Sequence, residues 1–291
     1  MIKHVLSQVL VLVGMVGSLH SWPVMPGQQI LREELTNTDI ALKCGKHEQL
    51  VMDHTEMITL TAGDITKNNL YNASCDVTIR VALRSSATAL EKYGMKVEGL
   101  ISFRDGSRDC TNSFISVADE DTLDDEMGTL VKYCGGPNKK ISFETTEDYI
   151  NIEVSVGSER ATRGSGFTIT IEPHFVCGGI IALETTIESP YYPQPYPRDI
   201  SCFWEVKAPK GFDISLTCPV FQFPNPNKAG RCSDDLMINH ANDVDVYCGS
   251  QLLNKQKHFA GEHEMLLVFR SDESKNVKNK GISCNITFVP E

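Results

Sequence analysis

Two His-Glu pairs are the first places to look for chemistry. His47-Glu48 and His263-Glu264 begin like the H-E-x-x-H helix of zinc proteases, but the fifth positions are Val51 and Leu267. That motif needs two imidazoles one helical turn apart, so both pairs fail it. Cys134-Gly135-Gly136-Pro137 lacks the Asp-Ser of a trypsin-like nucleophile loop, and no Gly-x-Ser-x-Gly elbow occurs. Gly164-Ser165-Gly166 reads as a hairpin turn, and His258 and His263 read as surface or core residues rather than ligands. With no nucleophile, base or metal cluster in evidence, no catalytic residue is assigned and the expectation is a protein that is not an enzyme.

One charge run stands out. Asp119, Glu120, Asp121, Asp124, Asp125 and Glu126 put six carboxylates within eight residues. The EF-hand pattern fails there, because position six counted from Asp119 is Asp124 and not Gly. The run reads either as a solvated hairpin tip or as a docking loop that steers a basic protein surface. The chain as a whole carries a formal charge of −11, which argues against nucleic acid as a partner, since phosphate binding needs a basic face. Its 291 residues suggest two domains at roughly 150 residues each. Hydrophobic residues at 41% and charged residues at 22% exclude a wholly disordered chain.

The chain opens on an address. Lys3 and His4 precede an apolar run from Val5 to Val16, and small residues Gly17, Ser18 and Ser21 follow. These are the parts of a secretory signal peptide over residues 1–21, cleaved between Ser18 and Ser21. The run is too short to span a bilayer, which takes about 20 apolar residues. No membrane span is expected elsewhere, and the expected location is extracellular. Ten cysteines in such a chain imply disulfide bridges. No C-x-x-C pair occurs, so a zinc knuckle has no support. Asn72 and Asn285 head N-x-S/T acceptor triplets and are candidate glycosylation sites; Asn285 falls in a strand, so its side chain must face outward to be used.

The elements that must carry these residues are strands. Period-2 alternation runs through Val77, Ile79, Val81 and Leu83, through Phe167, Ile169 and Ile171, and through Ile214, Leu216 and Val220. It recurs in Met265, Leu267 and Phe269 and in Ile282, Ile286 and Phe288. Short alternating runs between Gly, Pro, Asn and Asp predict an all-β, antiparallel sandwich fold. Ala87 to Tyr93 is the one helical-looking stretch and reads as a loop turn. Cys218 shares the parity of Ile214 and Leu216, and Cys284 that of Ile282 and Ile286, so both thiols should face one apolar interior and pair there across the two sheets.

The chain also repeats itself. Cys44, Cys75, Cys110 and Cys134 form one set, ending in Tyr133-Cys134-Gly135. Cys177, Cys202, Cys232 and Cys248 form another, ending in Tyr247-Cys248-Gly249. Each half closes on a Gly-led strand, at Gly166 and at Gly281. Two copies of one plan explain this better than a single large domain. The boundary falls near Pro173-His174-Phe175-Val176, a linker too short for the halves to roam.

The second half carries a recognisable order of motifs: Cys177-Gly178-Gly179, Ser189-Pro190-Tyr191-Tyr192-Pro193, Tyr196-Pro197, Cys202-Phe203-Trp204-Glu205-Val206, Cys232-Ser233-Asp234-Asp235-Leu236, Tyr247-Cys248-Gly249 and Phe269-Arg270-Ser271-Asp272. Over residues 177–290 it resembles a CUB domain. The resemblance implies a jelly-roll β-sandwich with bridges Cys177–Cys202 and Cys232–Cys248. The added Cys218–Cys284 pair and the Phe-Arg-Ser-Asp strand resemble the CUB domains that accompany some arthropod secreted serine proteases. Residues 44–173 resemble the family more faintly. They lack the Ser-Pro-x-Tyr-Pro run, and Val77 stands where Trp204 stands. The resemblance implies bridges Cys44–Cys75 and Cys110–Cys134 there, with residues 22–43 as an unmatched, flexible leader.

Many CUB domains bind calcium on a Glu and two Asp. The resemblance puts Asp235 and Asp272 at the two Asp positions, Pro224 at the Glu position and Lys275, beside Asn276, at a neighbouring acceptor. A hard cation needs several oxygens, so the implied site is degenerate and the implied cofactor is none or weakly bound calcium. In the first half Ser113 and Gly157 fall at the Asp positions, and calcium is not expected there. The function implied is a secreted, non-enzymatic binding or adaptor protein that recognises an extracellular protein or glycan through loops on two rigid sandwiches. The alternative is a venom or glandular secretory effector acting on foreign proteins or cells.

Overall fold

The computed structural model describes residues 35–291 except 44, 63–74, 85–89, 104–108, 112, 120–128, 137, 158–165, 242, 275 and 277. Every regular element among them is a β-strand, and no helix there is long and apolar enough to cross a membrane. Ten strands build the first half: β1 (Thr36–Ala41), β2 (His47–Met52), β3 (Glu56–Thr61), β4 (Cys75–Leu83), β5 (Lys92–Ser102), β6 (Ser113–Ala118), β7 (Leu130–Tyr133), β8 (Lys139–Thr145), β9 (Tyr149–Val156) and β10 (Gly166–Cys177). They form two sheets, ordered β1-β3-β10-β5-β8 and β2-β4-β9-β6-β7. Alternate residues of both sheets, such as Leu60, Ile79, Val97, Ile152 and Ile169, meet in one apolar core. The period-2 pattern of the sequence thus serves as the inner face of a sandwich.

The second half has nine strands: β11 (Gly179–Ile181), β12 (Thr185–Glu188), β13 (Ser201–Lys207), β14 (Phe212–Gln222), β15 (Asp235–His240), β16 (Asp243–Tyr247), β17 (Gln256–Phe259), β18 (Glu264–Arg270) and β19 (Gly281–Pro290). Their sheets are ordered β11-β13-β18-β15-β16 and β12-β19-β14-β17. Set β1 aside, and each strand of the first half has its counterpart nine places on, in the same order within its sheet. Directions match as well: β2 runs parallel to β4 as β11 does to β13, and the other counterpart pairs are antiparallel. A separate core holds Trp204, Leu216, Phe221, Leu267, Phe269 and Ile286.

Bridges Cys110–Cys134, Cys177–Cys202, Cys218–Cys284 and Cys232–Cys248 are formed. The pairing of Cys44 with Cys75 lies outside the described residues, as do Asn72 and the Gly164-Ser165 turn.

Five sequence expectations change. First, Cys218–Cys284 does not cross between sheets. It joins β14 to its hydrogen-bonded neighbour β19, with Cα atoms 3.9 Å apart. Both sulfurs do face the core, as parity requires. Second, Val220 is not a core residue. The β14–β19 register shifts between Thr217 and Val220, and this bulge hands the inward parity to Phe221 and Phe223. Third, the leader assigned to residues 22–43 contains β1, which pairs in parallel with β3 at the edge of the first sandwich. Fourth, Pro173–Val176 is not a loop: β10 runs through it to Cys177, keeping its pairing with β5 apart from one irregularity between Phe175 and Cys177. Fifth, Lys92 and Tyr93, assigned to a loop turn, begin β5.

Candidate functional site

At one end of the second sandwich, three loops converge: the one after β12, the one before β15 and the one after β18. Ser189 anchors the first to the last strand. Its hydroxyl accepts from Ile282 N at 3.1 Å and donates to Lys280 O at 3.0 Å. That close approach demands Gly281, where φ is +76° and a Cβ would sit 2.1 Å from Ser189 Oγ. Further along, Tyr196 is buried among Phe223 and Phe269, with ring centroids 5.8 and 5.1 Å away. Ser271 closes the cluster, donating to Pro197 O at 2.8 Å and accepting from Ile200 N at 3.0 Å.

Asp234 lies at the centre of this cluster. The Tyr196 hydroxyl donates to its Oδ2 at 2.6 Å, and the Asp272 backbone N–H donates to its Oδ1 at 2.9 Å. Burial pushes the Asp234 carboxyl above its usual range, against the pull of these two donors. The Tyr196 hydroxyl is pushed far up by burial and by its bond to the Asp234 carboxylate. Asn276 donates to Asn279 O at 2.7 Å and accepts from Asn279 N at 2.9 Å, which curls the loop beside them. Pro224, Ser233, Asp234, Asp272, Asn276 and Lys278 line an open depression here.

This arrangement corrects the expected pair of carboxylates. Asp235 does not face Asp272. It is buried on the opposite face of β15, where Arg270 grips both of its oxygens at 3.0 and 2.7 Å. Asp234 takes its place, because it shares the parity of the core residues Leu236 and Ile238. The family resemblance thus places the carboxylate one residue too far along the chain. Pro224 does line the depression and supplies no carboxylate; Lys275 lies outside the described residues. Two carboxylates, one amide and a nearby lysine fall short of the six to eight oxygens calcium takes from protein and water together, so these residues fit a weak hard-cation site at most.

In the first half, Ser113 and Gly157 do meet. The buried Ser113 hydroxyl accepts from Gly157 N at 3.2 Å, so a neutral group holds the loop where the second half uses a carboxylate. Of the acidic run, Asp119 is tied down by Thr129 N at 2.7 Å and the Thr145 hydroxyl at 3.1 Å. Glu120, Asp121, Asp124, Asp125 and Glu126 lie outside the described residues. Asn285 points outward, and its Oδ1 accepts from the Thr186 hydroxyl at 2.8 Å.

The depression lies at the end of the second sandwich that adjoins the first. A Cβ on Gly178, at φ +95°, would lie 2.0 Å from the Leu90 carbonyl oxygen. Burial raises the Tyr191 hydroxyl to about 12, helped by the Glu144, Asp119 and Glu147 carboxylates of the first half.

Residues 177–285 match the family model of the CUB domain. The chain is 26% identical over 155 residues to cubilin of Sus scrofa, covering 51% of this chain and 4% of that protein. It is 27% identical over 193 residues to embryonic protein UVS.2 of Xenopus laevis, covering 63% of this chain and 34% of that protein. It therefore spans only about a third of one relative's length and a small fraction of the other's. Among solved structures, the CUB2 domain of MASP-1 bound to Ca2+ is 25% identical, covers 38% of this chain and 97% of its own, and aligns with a TM-score of 0.34.

Proposed function

We propose that this chain is a secreted, non-enzymatic binding module built from two CUB-type sandwiches, which recognises an extracellular protein or glycan through its loop ends. The observation that carries this reading is the loop cluster around Asp234 and Asp272, set on a CUB-matching sandwich at the end beside the first one. The shared strand order supports treating the first half, about residues 44–173 with β1 added, as a diverged second copy beside the CUB domain at 177–290. A signal peptide over residues 1–21, glycans on Asn72 and Asn285, and a Cys44–Cys75 bridge complete the proposal. The Cys218–Cys284 bridge and the Phe269-Arg270-Ser271-Asp272 segment that closes β18, both by their resemblance to protease-associated CUB domains, make a secreted protease or its zymogen the first partner class to test.

Rigid bridged sheets let such loops bind without ordering much chain, which keeps the entropic cost of association low. Calcium, held weakly by Asp234 and Asp272 with Asn276 beside them, would stiffen the same loops. The acidic run from Asp119 to Glu126 is a second candidate contact, for a basic surface. Affinity capture from the extracellular fluid of the source tests the reading. Immobilised full chain, with and without chelator and at low and high salt, should retain a protein or glycoprotein. Calorimetry on the same chain should show weak calcium binding that Asp234→Ala abolishes and Asp235→Ala spares. Empty beads under every condition would refute the adaptor reading, and calcium binding indifferent to Asp234→Ala would refute the site.

A further inference from the structure

The opposite end of the second sandwich carries a cluster that the proposed function leaves unused. Asp213 sits at the start of β14, His258 in β17, His263 in the turn before β18, and Glu291 just after β19. Separated by up to 78 positions in sequence, they meet because β14 pairs with both β17 and β19. One ligand atom each from Asp213, His263 and Glu291 lies within 4.8 Å of the others, the single such trio among the described residues. His258 Nε2 stands 3.1 Å from Asp213 Oδ2.

We propose that this cluster is a binding site for a divalent cation of the zinc class, with Asp213, His263 and Glu291 as ligands and His258 as the fourth donor. Three observations point to it. The first is orientation. His263 Nδ1 lies 3.0 Å from the Phe212 carbonyl and donates to it, which turns Nε2 toward Glu291 Oε1 at 3.3 Å. A backbone carbonyl on the far nitrogen is how ligating histidines are commonly aimed. The second is pre-positioning of the carboxylate. Asp213 is buried, and its Oδ1 is fixed by the Gly261 N–H at 2.8 Å while Oδ2 stays on the histidine side. The third is composition. Two carboxylates and two imidazoles converge here, a mixed oxygen and nitrogen donor set that a divalent ion can satisfy.

The donor set selects the metal. Two imidazoles with two carboxylates suit zinc, copper or nickel and do not suit calcium, which takes oxygen alone. Tetrahedral bonds of about 2.1 Å place neighbouring ligand atoms about 3.4 Å apart. His263 and Glu291 already meet that spacing, and both are exposed enough to close the remainder. The site lies roughly 30 Å from Asp234, the length of β14 at about 3.3 Å per residue. Calcium chemistry at one end and zinc chemistry at the other are therefore separable.

Calorimetry of the full chain, stripped with chelator and titrated with zinc chloride at pH 7.5, tests this. One zinc per chain should bind, with affinity unchanged by millimolar calcium or by Asp234→Ala. His263→Gln and Glu291→Gln should each weaken binding at least tenfold. Cobalt substitution should give the visible absorption of a low-coordinate nitrogen–oxygen site, and His258→Gln should shift it. Tryptophan fluorescence checks that each variant is folded, and the exposed Glu291 variant keeps the test informative should the histidine variants fail to fold. No saturable zinc binding would overturn the proposal and leave the cluster as an ion-pair clasp. Binding that survives the His263→Gln/Glu291→Gln double substitution, or that calcium displaces, would overturn it equally.

Discussion

Tyr196→Phe is the sharpest probe of the loop cluster. It removes one oxygen and keeps the ring between Phe223 and Phe269, so the apolar packing is preserved. What is lost is a 2.6 Å hydrogen bond to a carboxylate only 3% exposed. Hydrogen bonds to charged groups contribute about 1.5–3 kcal/mol, and a buried acceptor left short of a donor puts the loss near the middle of that range. The expected cost is about 2 kcal/mol at pH 7, roughly a 30-fold shift in the folding equilibrium of this half. The penalty should also depend on pH. The tyrosine hydroxyl favours the ionised carboxylate and so holds the Asp234 pKa down against burial. Without it that pKa rises further, and the variant takes up its proton at a higher pH than the parent. A group raised in the folded state stabilises below its unfolded value and loses that contribution as pH rises, so acidification should narrow the gap between the two proteins. Urea unfolding followed by tryptophan fluorescence reads this directly, because Trp204 is buried in the second core. A difference under about 0.5 kcal/mol, or a difference that stays constant from pH 7 to pH 4, would refute the assignment of Asp234 as a buried, tyrosine-held carboxylate.

Two further outcomes follow from charged groups elsewhere. Lys257 on β17 reaches both Asp245 and Tyr247 on β16, tying an edge strand of one sheet to an edge strand of the other. All are part-exposed, so Lys257→Met should cost only about 0.5–1 kcal/mol at pH 7. The Lys257 ammonium holds the Asp245 carboxyl below its usual range, so its contribution is present above the unfolded value and is lost as pH falls through the folded one. A penalty that persists undiminished at pH 2 in chemical denaturation would contradict this. In the first half, burial holds the His174 imidazole below its usual pKa, in spite of the Glu144 and Glu172 carboxylates and with Lys96 adding to the effect. Its contribution to stability is complete above about pH 6.5 and declines as pH falls from there. The melting temperature should therefore drop less between pH 7.5 and 5 in His174→Gln than in the parent, and parallel curves would rule His174 out as the titrating group.

Much of this architecture was written in short-range pattern. Alternation of Phe167, Ile169 and Ile171, or of Met265, Leu267 and Phe269, specifies a strand with one buried face, and the structure buries those residues. Repeated Tyr-Cys-Gly elements and Gly-led final strands marked the two halves, and the halves share a strand order. Three things escaped. β1 reads Thr-Asn-Thr-Asp-Ile-Ala, almost wholly exposed, so no apolar period announces it; its place comes from parallel pairing with β3. The bulge after Thr217 is a tertiary choice, made where Cys218 meets Cys284, and it silently reverses parity for Val220 and Phe221. Asp234 and Asp235 are adjacent and chemically identical, so only the face of β15 distinguishes a loop-cluster carboxylate from the partner of Arg270.

The two halves show why the site is harder to read than the frame. A nine-strand order survives in both, because exchanging one core residue for another of similar volume costs little while a register slip exposes a whole face. Loop ends carry no such constraint. Ser113 and Gly157 hold their loop in the first half with a hydroxyl and an N–H. Asp234, Asp272 and Tyr196 hold theirs in the second with a buried carboxylate, a backbone N–H and a phenol. Either solution satisfies the buried polar groups, but only the carboxylate one places an acidic group beside the depression. β14 makes the same point along its own length. Its first turn presents Asp213 to two histidines, its middle is fixed to β19 through Cys218, and its far end delivers Pro224 to the loop cluster. The strand's interior is dictated by packing and hydrogen bonding, while its two ends carry different side-chain chemistry, so the two proposed sites can be tested separately on one chain.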